Sequence, residues 1–347
     1  MGDRCVTAAV AAAVEVGNRF HLPTEFPEVL ATHSNVLVRL GAVVARVPAT
    51  TLVARPGVLP SLAREVALSS FLGRKDAPVI PPFESPGPHL AAGLPVTLWR
   101  FTRHDPDHLF SPAEVAWSLA ELHAALREFP GELDAPGPLA EARSWIERLD
   151  LPAELLDEVA EVEADLPVVR VRALHGDAHA GNLLATGSGP RWLDFEDTWA
   201  GPVAWDLACL AGSARLDGRA AVAAYPDAPS PDELAPWMRL RGLFGVCWRF
   251  VIAHRFPERL PEAWAELRGF KTVGGWRQRS RHGWTAESGR IARRAQAVRA
   301  PARCPRSGSG SGHGSPSHPA LRDQPSPVST VKPPGLRRTA TTRGSTR

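Results

Sequence analysis

The sequence contains little cysteine and no long apolar run. Its 347 residues include four cysteines, Cys5, Cys209, Cys247 and Cys304. They lie far apart without a C-x-x-C pair, so neither a zinc knuckle nor a disulfide framework is indicated, and a reducing cytoplasm is the expected location. No segment approaches the ~20 consecutive apolar residues of a membrane span. Because Glu15 interrupts the apolar start of the chain, we expect an amphipathic helix there, with a secretory signal as the weaker alternative.

Acidic residues are scarce in one part of the chain only. From residue 271 onward there are 16 lysines and arginines but only two acids, whereas residues 1–270 contain 24 basic and 35 acidic residues. The tail, residues 271–347, is dense in Ser, Gly, Pro and Arg, so it is predicted to be disordered. It has no aromatic residue after Trp284, which speaks against specific nucleic-acid recognition and leaves only weak, nonspecific contact.

Residues 1–103 have the pattern of a small α+β lobe. The run NVLVRLGAVVARVPA (35–49) predicts two strands joined at Gly41. The run SLAREVALSSFLG (61–73) predicts a helix with Ser61 as its N-cap and Gly73 as its end. A further strand is predicted in GLPVTLWRF (93–101).

Residues 104–270 are predicted to form a larger and mostly helical lobe. The run SPAEVAWSLAELHAALREF starts with Ser111 and Pro112 and has apolar residues at helical spacing. Further helices are predicted in PAELLDEVAEVEADL, WDLACLAG, PDELAPWMRLRGLFGVCWRFVIAHRF and PEAWAELRGF. The run VVRVRAL (168–174) alternates like a strand and leads into the most polar part of the lobe.

That polar part is ALHGDAHAGNLLATGSGPRWLDFED (173–197). It contains a hairpin pattern in which Asn182 and Asp194 each lie six residues from Ser188. With Ser188 at the centre of the turn, the two side chains come close across the ladder. An amide oxygen beside a carboxylate suits Mg²⁺, so Asn182 and Asp194 are predicted as metal ligands.

Asp177 lies at the end of the predicted strand, in a loop with Gly176 and Gly181. A carboxylate at this place can accept the proton of a substrate hydroxyl. A D-x4-N spacing followed by an aspartate on a strand is the layout of a kinase catalytic loop and its metal-binding aspartate. The spacing therefore predicts Asp177 as the base of a phosphoryl transfer.

The motifs LHGDAHAGNLL and WLDFEDTWAGPVAWDLA resemble those of the aminoglycoside phosphotransferase family, within the choline kinase-like and protein kinase-like group. The resemblance implies a two-lobed protein kinase-like fold of the α+β class, with a small β-rich N-terminal lobe and a larger helical C-terminal lobe. It implies ATP or GTP as the phosphate donor, Mg²⁺ as the metal and a small-molecule hydroxyl as the acceptor. It also implies that His175 braces the catalytic loop, with His179 and Asp206 in supporting positions.

The resemblance places the nucleotide-binding residues in the first lobe. Arg46 occupies the place of the strand lysine that contacts the α- and β-phosphates, and Glu65 is its ion-pair partner. Ser34 and Asn35 lie at the turn that covers the phosphates, and Trp99 belongs to the hinge that binds adenine. Arginine in place of lysine keeps the charge but changes its shape and hydration. The turn lacks G-x-G-x-x-G, which speaks against a protein kinase more than against a small-molecule kinase.

Two other functions are compatible with these residues. A metal-dependent hydrolase would use HGDAH (175–179) as a ligand cluster, although Gly176 indicates a loop there. A catalytically silent module would bind nucleotide and act through partners. For a phosphotransferase, the acidic residues 1–270 are compatible with a cationic acceptor such as an aminoglycoside, and choline-like, amino-alcohol, sugar and macrolide acceptors stay open.

Overall fold

The computed structural model describes residues 2–272 of the chain. The prediction of a disordered tail lies outside the described residues from position 273 onward. Within residues 2–272, no helix has the length and apolar character needed to cross a membrane.

The first part of the chain forms a five-stranded antiparallel sheet with the strand order β1-β2-β3-β5-β4. Its inner face carries alternating apolar residues such as Val36, Val38 and Leu40, which are fully buried, as expected for strands with one face on a core. The predicted hairpin at Gly41 is confirmed, and Gly41 has the positive φ of 65° that its tight turn requires. The strands are β1 (Glu28–Thr32), β2 (Asn35–Leu40), β3 (Val43–Pro48), β4 (His89–Ala91) and β5 (Leu94–Arg100).

The predicted N-terminal helix is confirmed as α1 (Gly2–Arg19). Its residues Ala9, Ala12, Ala13 and Val16 are buried against the sheet. Their spacing of three and four residues places them on one helix face, and their small size lets the helix lie close to the strands. Helix α1 therefore completes the apolar core of the first lobe.

Two helices connect β3 to β4, namely α2 (Thr50–Ala54) and α3 (Leu59–Arg74). The prediction of Ser61 as N-cap of α3 is wrong, because the helix begins two residues earlier with Pro60 in its first turn, where proline is pre-organised for a helix. Gly73 does not end the helix either, since the last turn continues to Arg74. Helix α3 carries the completely buried Glu65 toward the sheet.

The second part of the chain is mostly helical. The predicted start at Ser111 is confirmed, because its side chain accepts a bond from the backbone of Glu114 in a capping box. The helices α5 and α8 were not predicted. The helices are α4 (Pro112–Leu126), α5 (Pro138–Arg148), α6 (Glu154–Asp165), α7 (Val203–Ala211), α8 (Gly218–Ala224), α9 (Pro231–Arg255) and α10 (Leu260–Thr272), with 3-10 turns at Ala180–Asn182 and Pro257–Arg259.

Three fully buried tryptophans, Trp145, Trp192 and Trp205, lie in the core of this helical part. Each indole N–H finds an acceptor, as buried tryptophans usually do. Trp192 donates to the Ser118 hydroxyl at 3.0 Å, and Trp145 donates to the carbonyl of Ala54 at 3.2 Å. The second of these bonds joins α5 to the end of α2.

The prediction of a strand over residues 168–174 is wrong for most of its length. Only β6 (Arg172–Ala173) forms, paired with β9 (Ala200–Gly201). Val168, Val169 and Val171 are exposed. Alternation favours a strand only where a neighbouring strand and a core face are present, and the residues before Arg172 have no paired strand in the described structure.

The predicted hairpin after Asn182 is confirmed as β7 (Leu183–Thr186) and β8 (Gly189–Trp192). Its turn consists of two residues, 187 and 188, and not of three residues centred on Ser188. This register places Leu193 opposite Asn182, and the N–H of Leu193 donates to the carbonyl of Asn182 at 3.1 Å. Asp194 is therefore one position beyond the expected pairing.

Candidate active site

Asp206 of α7 fixes the start of the loop from His175 to Asn182 by hydrogen bonds. Its carboxylate accepts the backbone N–H of His175 at 2.8 Å and that of Gly176 at 2.9 Å. Asp206 also contacts Nε2 of His123 on α4 at 2.8 Å, and the other ring nitrogen of His123 contacts the Tyr225 hydroxyl at 2.8 Å. This buried chain of polar groups fixes the backbone from which Asp177 projects.

Gly176 occupies a position that only glycine fits. Its φ is +92°, and a Cβ built there would lie 1.8 Å from the carbonyl oxygen of Asp197. The loop can therefore pack directly against the segment that follows Asp194.

His175 is completely buried between the rings of Trp192 and Phe195. Burial lowers its pKa, so the neutral ring is favoured. In that form Nε2 donates to the carbonyl of Leu193 at 3.1 Å, and Nδ1 accepts the backbone N–H of Asp177 at 3.3 Å. His175 thus joins the loop to the end of the hairpin, with both ring nitrogens engaged by backbone groups.

The Asp177 carboxylate has three close partners. One oxygen lies 2.7 Å from Nη2 of Arg241 on α9, and the other lies 3.2 Å from Nε2 of His179 and 3.3 Å from the amide nitrogen of Asn182. Burial alone would raise the pKa of Asp177, but the charges of Arg241 and His179 outweigh it and hold the pKa far below the usual range. Asp177 is therefore ionised at neutral pH and fixed in orientation.

Asn182 and Asp194 contact different partners. The Asn182 amide nitrogen also donates to the backbone carbonyl of Asp177 at 3.0 Å, so its oxygen is the amide atom left for a cation. Asp194 has a positive φ of 70° and contacts Nη2 of Arg46 at 2.7 Å. About a third of its side chain is exposed, which leaves carboxylate surface open toward the cleft.

Arg46 is buried at the centre of an ionic cluster below the sheet. It contacts Glu65 at 2.5 Å and also Asp194 and Glu196. With the amide of Asn35 turned so that its oxygen faces the guanidinium, Asn35 accepts from Arg46 at 2.8 and 3.0 Å. The sequence-based pairing of Arg46 with Glu65 is thus present in the structure.

The cluster has more carboxylates than cations. Burial raises the pKa of Glu65 to about 7 and that of Glu196 to about 8, against the opposing effect of Arg46. Burial would lower the pKa of Arg46, but Asp194, Glu65 and Glu196 outweigh it and keep that pKa above its usual value. One guanidinium facing three carboxylates would leave an excess of negative charge, and a proton on Glu65 or Glu196 reduces it.

Ser34 lies in the turn between β1 and β2, and Trp99 lies in β5. The carbonyl of Ser34 accepts the backbone N–H groups of Ala49 and Thr51, which fixes the turn between β1 and β2 to the start of α2. Trp99 lies near the end of β5, where its indole N–H donates to the Thr97 hydroxyl at 2.9 Å. It leads directly into the connection between the sheet and the helical part.

Several residues of the site were not found from the sequence. Arg241 lies 64 positions after Asp177, on a helix without local motif, so no spacing indicated the contact. Glu196 follows Asp194 closely and was expected to be solvated or to cap a helix, but it is buried and bound to Arg46. His123 lies on a predicted helix face among apolar residues, where a buried histidine indicates a polar partner.

The cleft between a sheet with a buried Arg–Glu pair and a helical part bearing the loop of Asp177 defines a class, the two-lobed kinase-like phosphotransferases. A comparison with protein-family models identifies the family within this class. Residues 26–243 match the phosphotransferase enzyme family, and the chain belongs to that family. The predicted family resemblance and fold class are confirmed.

Three solved structures with the same fold are similar to this chain. The GDP and kanamycin complex of APH(2")-IIia is 17% identical with a TM-score of 0.55, and the match covers 72% of this chain and 93% of that one. The choline kinase LicA from Streptococcus pneumoniae is 16% identical with a TM-score of 0.53, covering 73% and 94%. The amicoumacin kinase hAmiN in complex with AMP-PNP, Ca²⁺ and Ami is 14% identical with a TM-score of 0.53, covering 70% and 87%.

At these identities the similarity establishes the fold. No match to the chain was found among curated proteins.

Proposed function

We propose that the protein transfers the γ-phosphate of ATP or GTP to a hydroxyl group of a small molecule. The observation that supports this most directly is the arrangement of two groups on opposite sides of one cleft. Asp177 and Asn182 lie on the loop of the helical part, and Asp194 contacts the Arg46–Glu65 pair below the sheet. Phosphoryl transfer depends on positioning and charge neutralisation. It therefore needs a carboxylate that orients the acceptor hydroxyl and, beside it, charged groups that hold the nucleotide phosphates.

The residues present fit a Mg²⁺ ion. Asn182 offers an amide oxygen and Asp194 a partly exposed carboxylate, and hard oxygen ligands of this kind suit Mg²⁺, which completes its shell with phosphates and water. When bound, the ion would neutralise charge on the nucleotide phosphates. Arg46, which contacts the Asp194 carboxylate at 2.7 Å, would hold that carboxylate in position for the ion.

Asp177 would receive the acceptor hydroxyl. The hydroxyl donates a hydrogen bond to the carboxylate, its oxygen forms the new bond to the γ-phosphorus, and the bond from phosphorus to the β,γ-bridging oxygen breaks. The proton passes to the Asp177 carboxylate. Because the pKa of Asp177 lies far below the usual range, we infer that the carboxylate chiefly orients the hydroxyl and takes its proton only late in the transfer.

The phosphate donor and the acceptor can be identified by comparing ATP with GTP and by comparing a panel of hydroxyl compounds. Among the solved structures with this fold, one holds GDP with kanamycin and another holds AMP-PNP, so both purine nucleotides belong in the test. The excess of acidic residues in positions 1–270 favours attraction of cationic acceptors such as aminoglycosides over a distance. Choline, amino alcohols, sugars and macrolides complete the acceptor panel.

The decisive experiment is a search for phosphorylated product with Mg²⁺ and either nucleotide across that panel. We expect one acceptor class to yield product, and Asp177→Asn to lower kcat by at least a hundredfold while nucleotide affinity stays within about threefold. Asp157→Asn, on the exposed face of α6, is the matched control. Equal turnover by Asp177→Asn and the control would contradict the assignment of Asp177. Nucleotide binding without any product would favour the catalytically silent module.

The hydrolase alternative receives no support from the geometry. Nε2 of His175 points to a backbone carbonyl, and Nδ1 of His179 accepts the N–H of Gly181. Within residues 2–272, no group of three or more His, Cys, Asp or Glu side chains is placed to hold a metal ion.

A further inference from the structure

A cavity of about 370 Å³ lies beside the segment that follows Asp194. Its walls come from the chain between α2 and α3, from the start of α3, from α5 and from residues 196–199. Gly176, the neighbour of Asp177, and Asp197 also line it. Its volume lies within the ~300–1,000 Å³ typical of small-molecule sites. The mechanism proposed above makes no use of this cavity.

Three arginines line the cavity, and they differ in their partners. Arg55 contacts Glu141 at 2.5 and 2.9 Å and also contacts Asp197. Arg148 donates to backbone carbonyls at the end of α2. Arg64 has no ion-pair or hydrogen-bond partner among the residues that the structure describes, and its Nε is buried without an acceptor.

The acids in the same walls are already engaged. Glu141 and Asp197 are bound to Arg55, and Glu196 is bound to Arg46. Arg148 is bound to backbone carbonyls, so Arg64 is the lining arginine that makes neither a hydrogen bond nor an ion pair with the described residues. Burial and the neighbouring Arg55 lower the pKa of Arg64, against the weaker attraction of the Asp134, Asp197 and Glu141 carboxylates. A half-buried cation beside a second cation is an unfavourable arrangement that a bound anion would relieve.

Aromatic rings form the apolar part of the cavity. Trp145, Trp199 and Phe244 line it, and the indole N–H of Trp199 is buried without an acceptor. The cavity thus combines an apolar wall with a guanidinium whose Nε lacks a hydrogen-bond acceptor. Small-molecule sites are commonly built in this way, with a few polar groups fixing the orientation of a mainly apolar contact.

We propose that this cavity binds the carboxylate or phosphate group of a small molecule, with the guanidinium of Arg64 as its principal contact. The anionic group belongs either to the acceptor itself or to a separate small molecule that binds beside the catalytic loop. In the first case, which rests on the proposed function, the acceptors are hydroxyl compounds that carry a carboxylate or phosphate.

Binding of inorganic phosphate tests the site without any turnover. The titration is made by calorimetry with Mg²⁺ and a saturating non-hydrolysable triphosphate analogue, AMP-PNP or its guanosine counterpart, so that all three nucleotide-phosphate subsites are occupied. We expect Arg64→Gln to weaken phosphate binding at least tenfold and Arg64→Lys to retain part of the affinity, since hydrogen bonds to a charged group are among the stronger ones. Arg74→Gln, on the exposed end of the same helix, is the matched control and should change nothing.

A second variant keeps the test independent of the arginine. Ser144 lines the cavity and is exposed on α5, so Ser144→Asp should fold and place a negative charge in the site. We expect it to abolish phosphate binding. Equal phosphate affinity in the wild type, Arg64→Gln and Ser144→Asp would overturn the proposal, as would equal weakening by Arg74→Gln.

Matched acceptors distinguish the two sources of the anion. Glycerol, glycerate and glycerol 3-phosphate are compared as acceptors in the wild type and in Arg64→Gln. If Arg64→Gln raises the KM only of glycerate and glycerol 3-phosphate, the bound anion is part of the acceptor. If added phosphate instead changes the turnover of uncharged acceptors, the anion belongs to a separate molecule. If no acceptor is phosphorylated, the proposed function is refuted. The phosphate titration would still show whether the cavity binds an anion through Arg64.

Discussion

Replacing Arg241 by methionine removes the closest charge on Asp177 while keeping an unbranched side chain in the core. The guanidinium lies 2.7 Å from the Asp177 carboxylate and over the ring of Trp205. Without it, Asp177 keeps only His179 and Asn182 as partners. We therefore expect Arg241→Met to destabilise the protein at neutral pH and to loosen the orientation of the carboxylate.

The size of the effect follows from burial. Breaking a fully buried ion pair by removing one partner costs about 3–5 kcal/mol. The two side chains are 12% and 23% exposed, so solvent screening reduces the pairwise term. We expect a coupling free energy of about 2 kcal/mol between positions 177 and 241 at pH 7.

The assay is a double-mutant cycle of unfolding free energies from urea denaturation, with Arg241→Met, Asp177→Asn and the double variant. Because the folded protein lowers the pKa of Asp177, the pair contributes its full stability above the unfolded pKa of about 4 and loses it as pH falls below that value. The coupling measured at pH 7 should therefore persist to about pH 5 and shrink at pH 3. Additive effects at pH 7, or a coupling that grows on acidification, would refute this reasoning.

Three further substitutions test other parts of the site. The pKa of Glu196 is raised to about 8, so the stability that its protonated form contributes is lost as pH rises from about 4 to 8. Glutamine does not titrate. The unfolding free energy of Glu196→Gln, measured by urea denaturation, should therefore rise relative to that of the wild type between pH 5 and pH 8. Tyr225→Phe removes the hydroxyl that contacts His123 and should cost about 1 kcal/mol of unfolding free energy. A Cβ on Gly176 would lie 1.8 Å from the Asp197 carbonyl, so Gly176→Ala should abolish activity and lower Tm, and an unchanged Tm would contradict the close packing.

The loop from His175 to Asn182 could be predicted from the sequence because its signal is local. Asp177 and Asn182 are five residues apart, and their side chains contact each other in the structure. The start of α4 was also predictable, since Ser111 and Glu114 form their capping box within one turn. Short-range hydrogen bonds of this kind depend little on the rest of the fold.

Features that depend on packing between distant segments were missed or misplaced. Arg241 reaches Asp177 only because α9 packs beside the loop, and no spacing records this. The alternation of Val169 and Val171 predicted a strand, but no neighbouring strand pairs with these residues in the described structure. The hairpin register was wrong by one residue because the turn contains two residues, which moved Asp194 out of the expected pairing.

We propose that the cleft binds a nucleotide through a metal held at Asp194. The most direct test is a thermal shift with ATP and with GTP, each with and without Mg²⁺, on the wild type, Asp194→Ala and the exposed control Asp157→Ala. We predict Mg²⁺-dependent stabilisation by at least one nucleotide in the wild type and the control, and its loss in Asp194→Ala. Stabilisation that survives in Asp194→Ala would contradict a metal held at Asp194. No stabilisation of the folded wild type by either nucleotide would contradict nucleotide binding in the cleft.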